Sequence, residues 1–136
     1  MAGRENLGKV EDRLRADLVA WLTTVTPEGQ PQTTPVWFLW EGDTAILYSR
    51  PGKPKLRNIS ANPRVTLALR MDETGDDVVT IEGRAVRAQD APPAHENAAY
   101  VEKYAGPIEN LGYDPEGFAR DYSEPVRITP TRVRSW

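Results

Sequence analysis

The sequence predicts a mainly β protein, an antiparallel barrel with helices appended, folded as a single domain over residues 1–136. About six short segments rich in β-branched and aromatic residues are separated by tight-turn sequences. These segments do not alternate regularly with long helices, as the strands of a doubly wound parallel sheet would. A chain of 136 residues is also the right length for one hydrophobic core.

The first third of the chain predicts one helix and one hairpin. Apolar residues recur at helical spacing from Val10 to Leu22, which predicts an amphipathic helix that ends near Ala20. A β-rich run follows, and residues 27–29, Pro-Glu-Gly, supply a turn before a second run at residues 32–40. The two runs therefore predict a β-hairpin.

The rest of the chain predicts further strands and two helices. Residues 41–43 form a second hairpin turn between strands at 34–40 and 44–49, and strands at 64–71 and 78–87 flank a polar loop. A helix is expected from Pro92 through Tyr104, with Gly106 and Pro107 ending it, and a short helix at 115–120. Residues 126–136 alternate as a strand interrupted at Pro130.

Composition excludes several classes of function. The absence of cysteine excludes disulfides, thiolate chemistry and iron–sulfur clusters, and the single histidine, His95, excludes a multi-histidine metal site within one chain. The net charge of −3 argues against a nucleic-acid-binding surface. No apolar run is long enough to span a bilayer, and no signal peptide is recognised, so we expect a cytoplasmic protein without membrane or metal partners.

A basic cluster follows the predicted strand 44–49. A turn at Gly52 precedes Pro54, which is well placed to begin a short helix with one apolar side. The start of a helix attracts anions, because its backbone N–H groups are unpaired and its dipole is positive there. Four of the 17 basic residues lie here within eight positions, namely Arg50, Lys53, Lys55 and Arg57.

Two interpretations of this basic cluster remain open. It has the donors that a phosphate needs, with Ser49 adding a hydroxyl, although no Walker-type phosphate loop occurs in the sequence. Alternatively, it is a solvated helix whose charges only keep the protein soluble or pair with nearby acids.

An aromatic strand at residues 33–40 is the second informative feature. Pro35 cannot donate to a ladder, so it predicts an edge or a local break, where free backbone groups could bind a planar heterocycle against Trp37 or Phe38. The alternative is that Val36, Phe38 and Trp40 form barrel core, while Trp37 packs under a helix or at a subunit contact.

The hairpin at 41–43 predicts that these two features meet. It would place Tyr48 and Ser49 on a strand adjacent to residues 34–36, so a ligand with a flat ring and a phosphate arm would contact both. No nucleophile elbow occurs and Ser49 has no evident histidine partner, so the reactive group is expected to come from a cofactor.

These segments resemble the split β-barrel superfamily that includes pyridoxamine 5′-phosphate oxidase, most clearly from Asp17 to Arg87 and again at residues 132–134. The set of residues 34–38, Tyr48-Ser49 and 55–58, with Asn62-Pro63, is similar to its F420-dependent oxidoreductase branch, FDOR-B type. The resemblance implies a Greek-key split barrel of the FMN-binding type, and a homodimer whose cofactor lies in a groove between subunits.

The resemblance also implies an activity and a site. The activity is hydride transfer between coenzyme F420 and a small unsaturated or carbonyl-bearing substrate; the alternatives are an FMN-binding oxidase or reductase, or an F420-binding protein without turnover. It assigns no catalytic side chain, because the cofactor carries the chemistry. The cofactor-binding residues it implies are Thr34, Pro35, Val36, Trp37, Phe38, Tyr48, Ser49, Lys53, Lys55, Arg57 and Asn58.

Overall fold

The computed structural model describes the backbone of residues 4–136 and the side chains of residues 8–136. Four α-helices and seven strands occur in this part of the chain, with a short 3-10 turn at Ala94–Glu96. The helices are α1 (Arg4–Ala16), α2 (Pro54–Ala61), α3 (Ala98–Asn110) and α4 (Pro115–Asp121). The strands are β1 (Ala20–Val25), β2 (Pro31–Val36), β3 (Leu39–Trp40), β4 (Ala45–Ser49), β5 (Arg64–Leu69), β6 (Val79–Arg87) and β7 (Glu124–Ser135).

All seven strands form one antiparallel sheet in the order β2-β1-β5-β6-β7-β4-β3. Strands β2 and β3 lie at the two opposite edges, yet only Trp37 and Phe38 separate them along the chain. The sheet must therefore curl until its edges approach without pairing, which is a split barrel. The expected fold class is confirmed, with seven strands in place of about six. We call the crossing at Trp37 and Phe38 the seam.

The seam corrects one expectation about strand pairing. The sequence interpretation placed residues 34–36 beside Tyr48 and Ser49 on adjacent strands. Instead β2 pairs only with β1, while β4 pairs with β7 and with the two-residue strand β3. The reason is that the backbone leaves the ladder at the seam, so residues on either side of it belong to opposite edges of the sheet.

Two apolar clusters stabilise the barrel. The larger fills the barrel interior and includes Leu22, Phe38 and Leu67. The smaller lies between the outer face of β4 and helices α3 and α4, and it includes Ile46 and Tyr104. Every residue of β4 is buried for this reason, because one face of the strand packs inside the barrel and the other packs under helices.

The first helix is shorter than its apolar spacing predicts. Helix α1 ends at Ala16, and Ala20 already pairs with Val36 in the sheet. Val10 and Leu14 are buried as expected, but Leu18 and Trp21 are 44% and 49% exposed. Their helical spacing does not produce a helix, because the β-branched residues that follow favour a strand and β1 begins at Ala20.

Helix α3 differs at both ends from the prediction. Asn97 caps it, since its side chain accepts a hydrogen bond from the backbone N–H of Tyr100. The helix then continues through Pro107 to Asn110. Proline removes one backbone hydrogen bond, but the next residue, Ile108, is only 2% exposed, and its burial offsets that loss.

The break expected at Pro130 is a β-bulge between β6 and β7. Glu82 pairs with Arg132 and Gly83 with Pro130, which leaves Thr131 as the extra residue. A Cβ atom at Gly83 would lie 2.7 Å from the carbonyl oxygen of Thr129, so close approach of the two strands requires glycine here. None of the described helices is long and apolar enough to cross a membrane.

Candidate functional site

A cleft of about 470 Å³ opens between the exposed end of β2, the end of β4 and helices α3 and α4. Its volume lies within the range of small-molecule sites. Pro35, Val36 and Trp37 line it from the β2 side, and Tyr48 and Ser49 line it from β4. The aromatic strand and the segment that begins the basic cluster therefore do lie on the same cleft, at the split of the barrel.

One wall of the cleft is basic, formed by Lys53, Lys55 and Arg50. Lys53 occupies the cap position of α2, and Pro54 begins the helix as expected. Burial lowers the pKa of the half-buried Lys55 ammonium, and the neighbouring charge of Lys53 lowers it further. Neither lysine forms an ion pair with any side chain that the structure describes. Two adjacent cations without a counter-ion favour an anionic ligand.

Arg50 differs from these lysines because it already has partners. Its guanidinium donates to the Tyr113 hydroxyl at 3.0 Å, and that hydroxyl donates to the Asp121 carboxylate. The guanidinium also lies 3.9 Å from Asp121 and stacks over the ring of Tyr122, 4.9 Å from its centroid. Arg50 therefore holds the end of β4 to helix α4 at the cleft.

The opposite wall is a column of parallel aromatic rings. Trp37 stacks on Tyr104 with ring centroids 4.8 Å apart, and it also stacks on Phe118 at 5.6 Å. Phe118 in turn stacks on Tyr122 at 4.3 Å. The half-buried Trp37 thus packs under helices α3 and α4, as the alternative interpretation of the aromatic strand predicts, and it also lines the cleft.

Phe38 lies in the barrel core and does not line the cleft. Its side chain is fully buried, so it provides no wall for a heterocycle. Its backbone N–H donates to the Tyr104 hydroxyl at 2.8 Å, and its carbonyl accepts from the Lys103 ammonium, also at 2.8 Å. Burial lowers the pKa of Lys103 to about 8. The free backbone groups expected at the break are therefore satisfied at Phe38.

The Tyr104 hydroxyl also lies 2.7 Å from the carbonyl oxygen of Leu18 and 2.9 Å from that of Phe38. It has one proton to donate, so it bonds to one of these oxygens at a time while accepting from the N–H of Phe38. Helix α3 is thereby tied to the seam at the point where the ladder is interrupted.

Other predicted site residues lie around the cleft and not in it. Asn58 is fully buried, and its amide donates to Thr24 and Gln32 at 3.0 and 2.9 Å, which ties α2 to the first hairpin. Arg57 is exposed and lines a separate recess on the far side of Lys53. Thr34 lines a neighbouring groove that shares Lys53 and Lys55 with the cleft.

Sequence reasoning did not identify the part of the site that α3 and α4 supply. Tyr100, Leu111, Phe118 and Tyr122 all line the cleft. A signal was present, because Tyr100 and Tyr104, like Phe118 and Tyr122, are spaced four residues apart and so share a helix face. The sequence alone does not show which strand that aromatic face covers.

Several solved structures resemble this chain. An F420 reductase is 27% identical, with a TM-score of 0.66 over 91% of this chain and 94% of its own. A conserved hypothetical protein from Mycobacterium tuberculosis is 26% identical, with a TM-score of 0.71 over 100% and 85% of the two chains. A FAD-binding protein from Mesorhizobium loti shares the fold at 20% identity, with a TM-score of 0.68 over 93% and 89%.

No functionally curated protein matches the sequence significantly. Residues 7–136 do match the pyridoxamine 5′-phosphate oxidase family, and this match spans nearly the whole chain, including the barrel and both walls of the cleft. The protein belongs to the pyridoxamine 5′-phosphate oxidase family.

Proposed function

We propose that the protein is an F420-dependent oxidoreductase that transfers a hydride between coenzyme F420 and a small unsaturated or carbonyl-bearing substrate. The observation that carries the proposal is the pair Lys53 and Lys55, two cations without an acidic partner, at the start of α2 in a cleft with an aromatic wall. A phosphate would relieve their repulsion, and the aromatic wall suits a flat ring. The similarity to an F420 reductase supports the choice of cofactor.

The chain's own residues would bind and orient the cofactor. Lys53 and Lys55 would hold the phosphate, with the nearby Ser49 hydroxyl reorienting from its present bond to the Arg50 carbonyl. Pro35, Val36 and Trp37 would form the surface for the ring. The bound deazaflavin supplies the hydride chemistry, and the side chains around it exclude water and position the substrate.

We further propose that the protein works as a homodimer with the cofactor groove between subunits. Leu18, Val19 and Trp21 are each more than 40% exposed, and Val19 itself lines the cleft. An apolar surface continuous with the site is suited to a second copy of the chain. Sedimentation at micromolar concentration should give twice the 15.2 kDa chain mass, and Trp21→Glu should shift it toward the monomer. A wild-type mass of one chain would contradict the shared groove.

Equilibrium binding of F420 and of FMN to the purified protein tests the cofactor assignment. We expect F420 to bind more tightly, and Lys55→Ala to weaken its binding about 10- to 150-fold, the effect of losing a charge-assisted hydrogen bond of about 1.5–3 kcal/mol. Arg57→Ala is the matched control, because it removes a neighbouring cation that lines a different recess. Equal losses in the two variants would contradict the placement of the phosphate beside Lys55.

Two alternatives give different results in the same experiment. Micromolar binding of FMN without binding of F420 would assign a flavin oxidase or reductase, a reading favoured by the fold shared with a FAD-binding protein. Binding of F420 without oxidation of its reduced form by any unsaturated or carbonyl acceptor would assign a binding protein without turnover. Consumption of reduced F420 by an acceptor, with a dependence on Lys55, would support the oxidoreductase.

A further inference from the structure

The aromatic wall contains one polar atom that the chain itself does not use. Tyr100 is fully buried, and its hydroxyl has no hydrogen-bond partner among the described residues. The two other buried tyrosines of this cluster are satisfied. Tyr48 donates to the Pro92 carbonyl at 2.9 Å and accepts from Asn97, and Tyr104 is bonded to the seam.

Packing alone does not explain the Tyr100 hydroxyl. The ring lies edge-on to Tyr48, with centroids 4.9 Å apart, and it contacts the ring of Tyr104 at 4.8 Å. Phenylalanine would make the same ring contacts. It would also avoid the cost of about 1–3 kcal/mol for burying a hydroxyl without a partner. An unsatisfied buried group of this kind calls for a ligand or a solvent partner.

The position of Tyr100 points to a ligand. Tyr100 lines the same cleft as Lys55, and it belongs to the helical side of that cleft together with Leu111 and Phe118. None of the cleft-lining residues on that side is charged. Arg50, a charged residue of the lining, is already bonded to Tyr113 and paired with Asp121. A neutral hydrogen-bond donor surrounded by apolar rings suits a planar, uncharged molecule that carries one acceptor oxygen.

We propose that the hydroxyl of Tyr100 binds the carbonyl oxygen of the substrate, which makes the preferred substrates planar carbonyl compounds and not simple alkenes. Burial raises the pKa of Tyr100, so its hydroxyl stays protonated and remains a donor at any physiological pH. The inference rests on the proposed function, because a ligand at this wall becomes a substrate only when the cofactor binds beside it. Tyr100 is thus a positioning and specificity-determining residue.

Binding of two molecules of matched shape tests this without turnover. Acetophenone and α-methylstyrene differ only in having C=O or C=CH2 beside the same ring, and their dissociation constants can be measured by NMR titration of the F420-loaded protein. We expect the wild type to prefer acetophenone by about 3- to 10-fold, the range for one neutral hydrogen bond. Tyr100→Phe should lose or reverse this preference, because the carbonyl oxygen is then buried without a partner, and it should unfold at the same or a higher temperature than the wild type.

Tyr104→Phe is the matched control. It removes the hydroxyl of the neighbouring buried tyrosine on α3, which is bonded to the seam and does not line the cleft, so it should lower stability and keep the preference for acetophenone. A preference that survives in Tyr100→Phe, or the lack of any preference in the wild type, would overturn the proposal and leave the hydroxyl to a solvent molecule.

The same measurements separate this inference from the proposed function. Repeating the titration without F420 shows whether the carbonyl preference exists independently of the cofactor. A preference that depends on Tyr100 in a protein that binds no F420 would refute the proposed oxidoreductase and retain the carbonyl-binding role. Turnover of reduced F420 with an unchanged KM for carbonyl acceptors in Tyr100→Phe would refute the role of Tyr100 and retain the oxidoreductase.

Discussion

Removal of the Tyr104 hydroxyl by Tyr104→Phe should destabilise the protein, because a buried backbone N–H group at the seam then has no hydrogen-bond acceptor. Among the described residues, this hydroxyl is the one acceptor for the backbone N–H of Phe38, a residue with no exposed surface. Leaving a buried N–H without a partner costs about 1–3 kcal/mol. The carbonyl of Phe38 would keep its bond to Lys103, and the exposed Leu18 could turn its carbonyl toward water, so these groups add little.

The expected loss in the free energy of unfolding is therefore about 1–3 kcal/mol. For a chain of this length the entropy of unfolding near the midpoint is about 0.29 kcal/mol/K, so the melting temperature should fall by about 3–10 °C. Urea denaturation and thermal unfolding should agree, both measured at one protein concentration because a dimer would couple association to folding.

Tyr100→Phe provides an unusually close control for this experiment. Both tyrosines are fully buried on α3, with ring centroids 4.8 Å apart, and the two variants each remove one hydroxyl oxygen. Among the described residues, the Tyr104 hydroxyl has hydrogen-bond partners and the Tyr100 hydroxyl has none, so only the loss of the Tyr104 hydroxyl should destabilise. Equal stability changes in the two variants would show that the hydrogen bonds at the seam do not contribute as argued.

Three further predictions concern other parts of the molecule. Gly83→Ala should lower stability by about 1–3 kcal/mol in urea denaturation, since its Cβ would meet the Thr129 carbonyl; a neutral result would mean that the bulge relaxes freely. Lys103 has a folded pKa of about 8, below the value of about 10.4 in an unfolded chain, so the unfolded state binds more protons between these values. From pH 7 to pH 10 the free energy of unfolding of the wild type, measured by urea denaturation, should therefore rise by about 1–2 kcal/mol relative to that of Lys103→Met, after allowance for solvent screening. A difference between the two proteins that does not change with pH would contradict this. Finally, an anion beside Lys55 should raise its lowered pKa, so F420 binding should take up protons and weaken as the pH rises through the pKa of the free protein. The affinity of Lys55→Arg for F420 should depend little on pH. If its affinity fell as steeply with pH as that of the wild type, protonation of Lys55 would not be the cause.

Local sequence signals predicted most of the barrel correctly. The turns at residues 27–29 and 41–43, the proline that begins α2 and the bulge at Pro130 all depend on chemistry within a few residues, and all are observed. The end of α1 was misjudged because Leu18 and Trp21 continue a helical spacing by coincidence. No local pattern indicates that the ladder is left at the seam, because that departure depends on closure of the whole sheet.

In the candidate site, too, local sequence predicts one part and contacts between distant residues determine the other. The basic wall was foreseen because Lys53 and Lys55 are adjacent to a recognisable helix start. The aromatic wall was only half foreseen, since Trp37 receives Tyr104 and Phe118 from helices far away in the chain. Arg57 shows what proximity in sequence does not determine, because it lines another recess, which shares Lys53 with the cleft.

Residues 88–123 are held between the two longest neighbouring strands of the sheet, β6 and β7. This one excursion carries the cleft-lining residues Tyr100, Leu111, Phe118 and Tyr122, while the seam residue Trp37 and the two lysines lie outside it. At the two ends of the excursion the strands pair with each other, Arg87 with Val126. If the proposed function holds, sequence changes confined to this segment would alter the wall that contacts the substrate and leave the proposed phosphate-binding lysines in place.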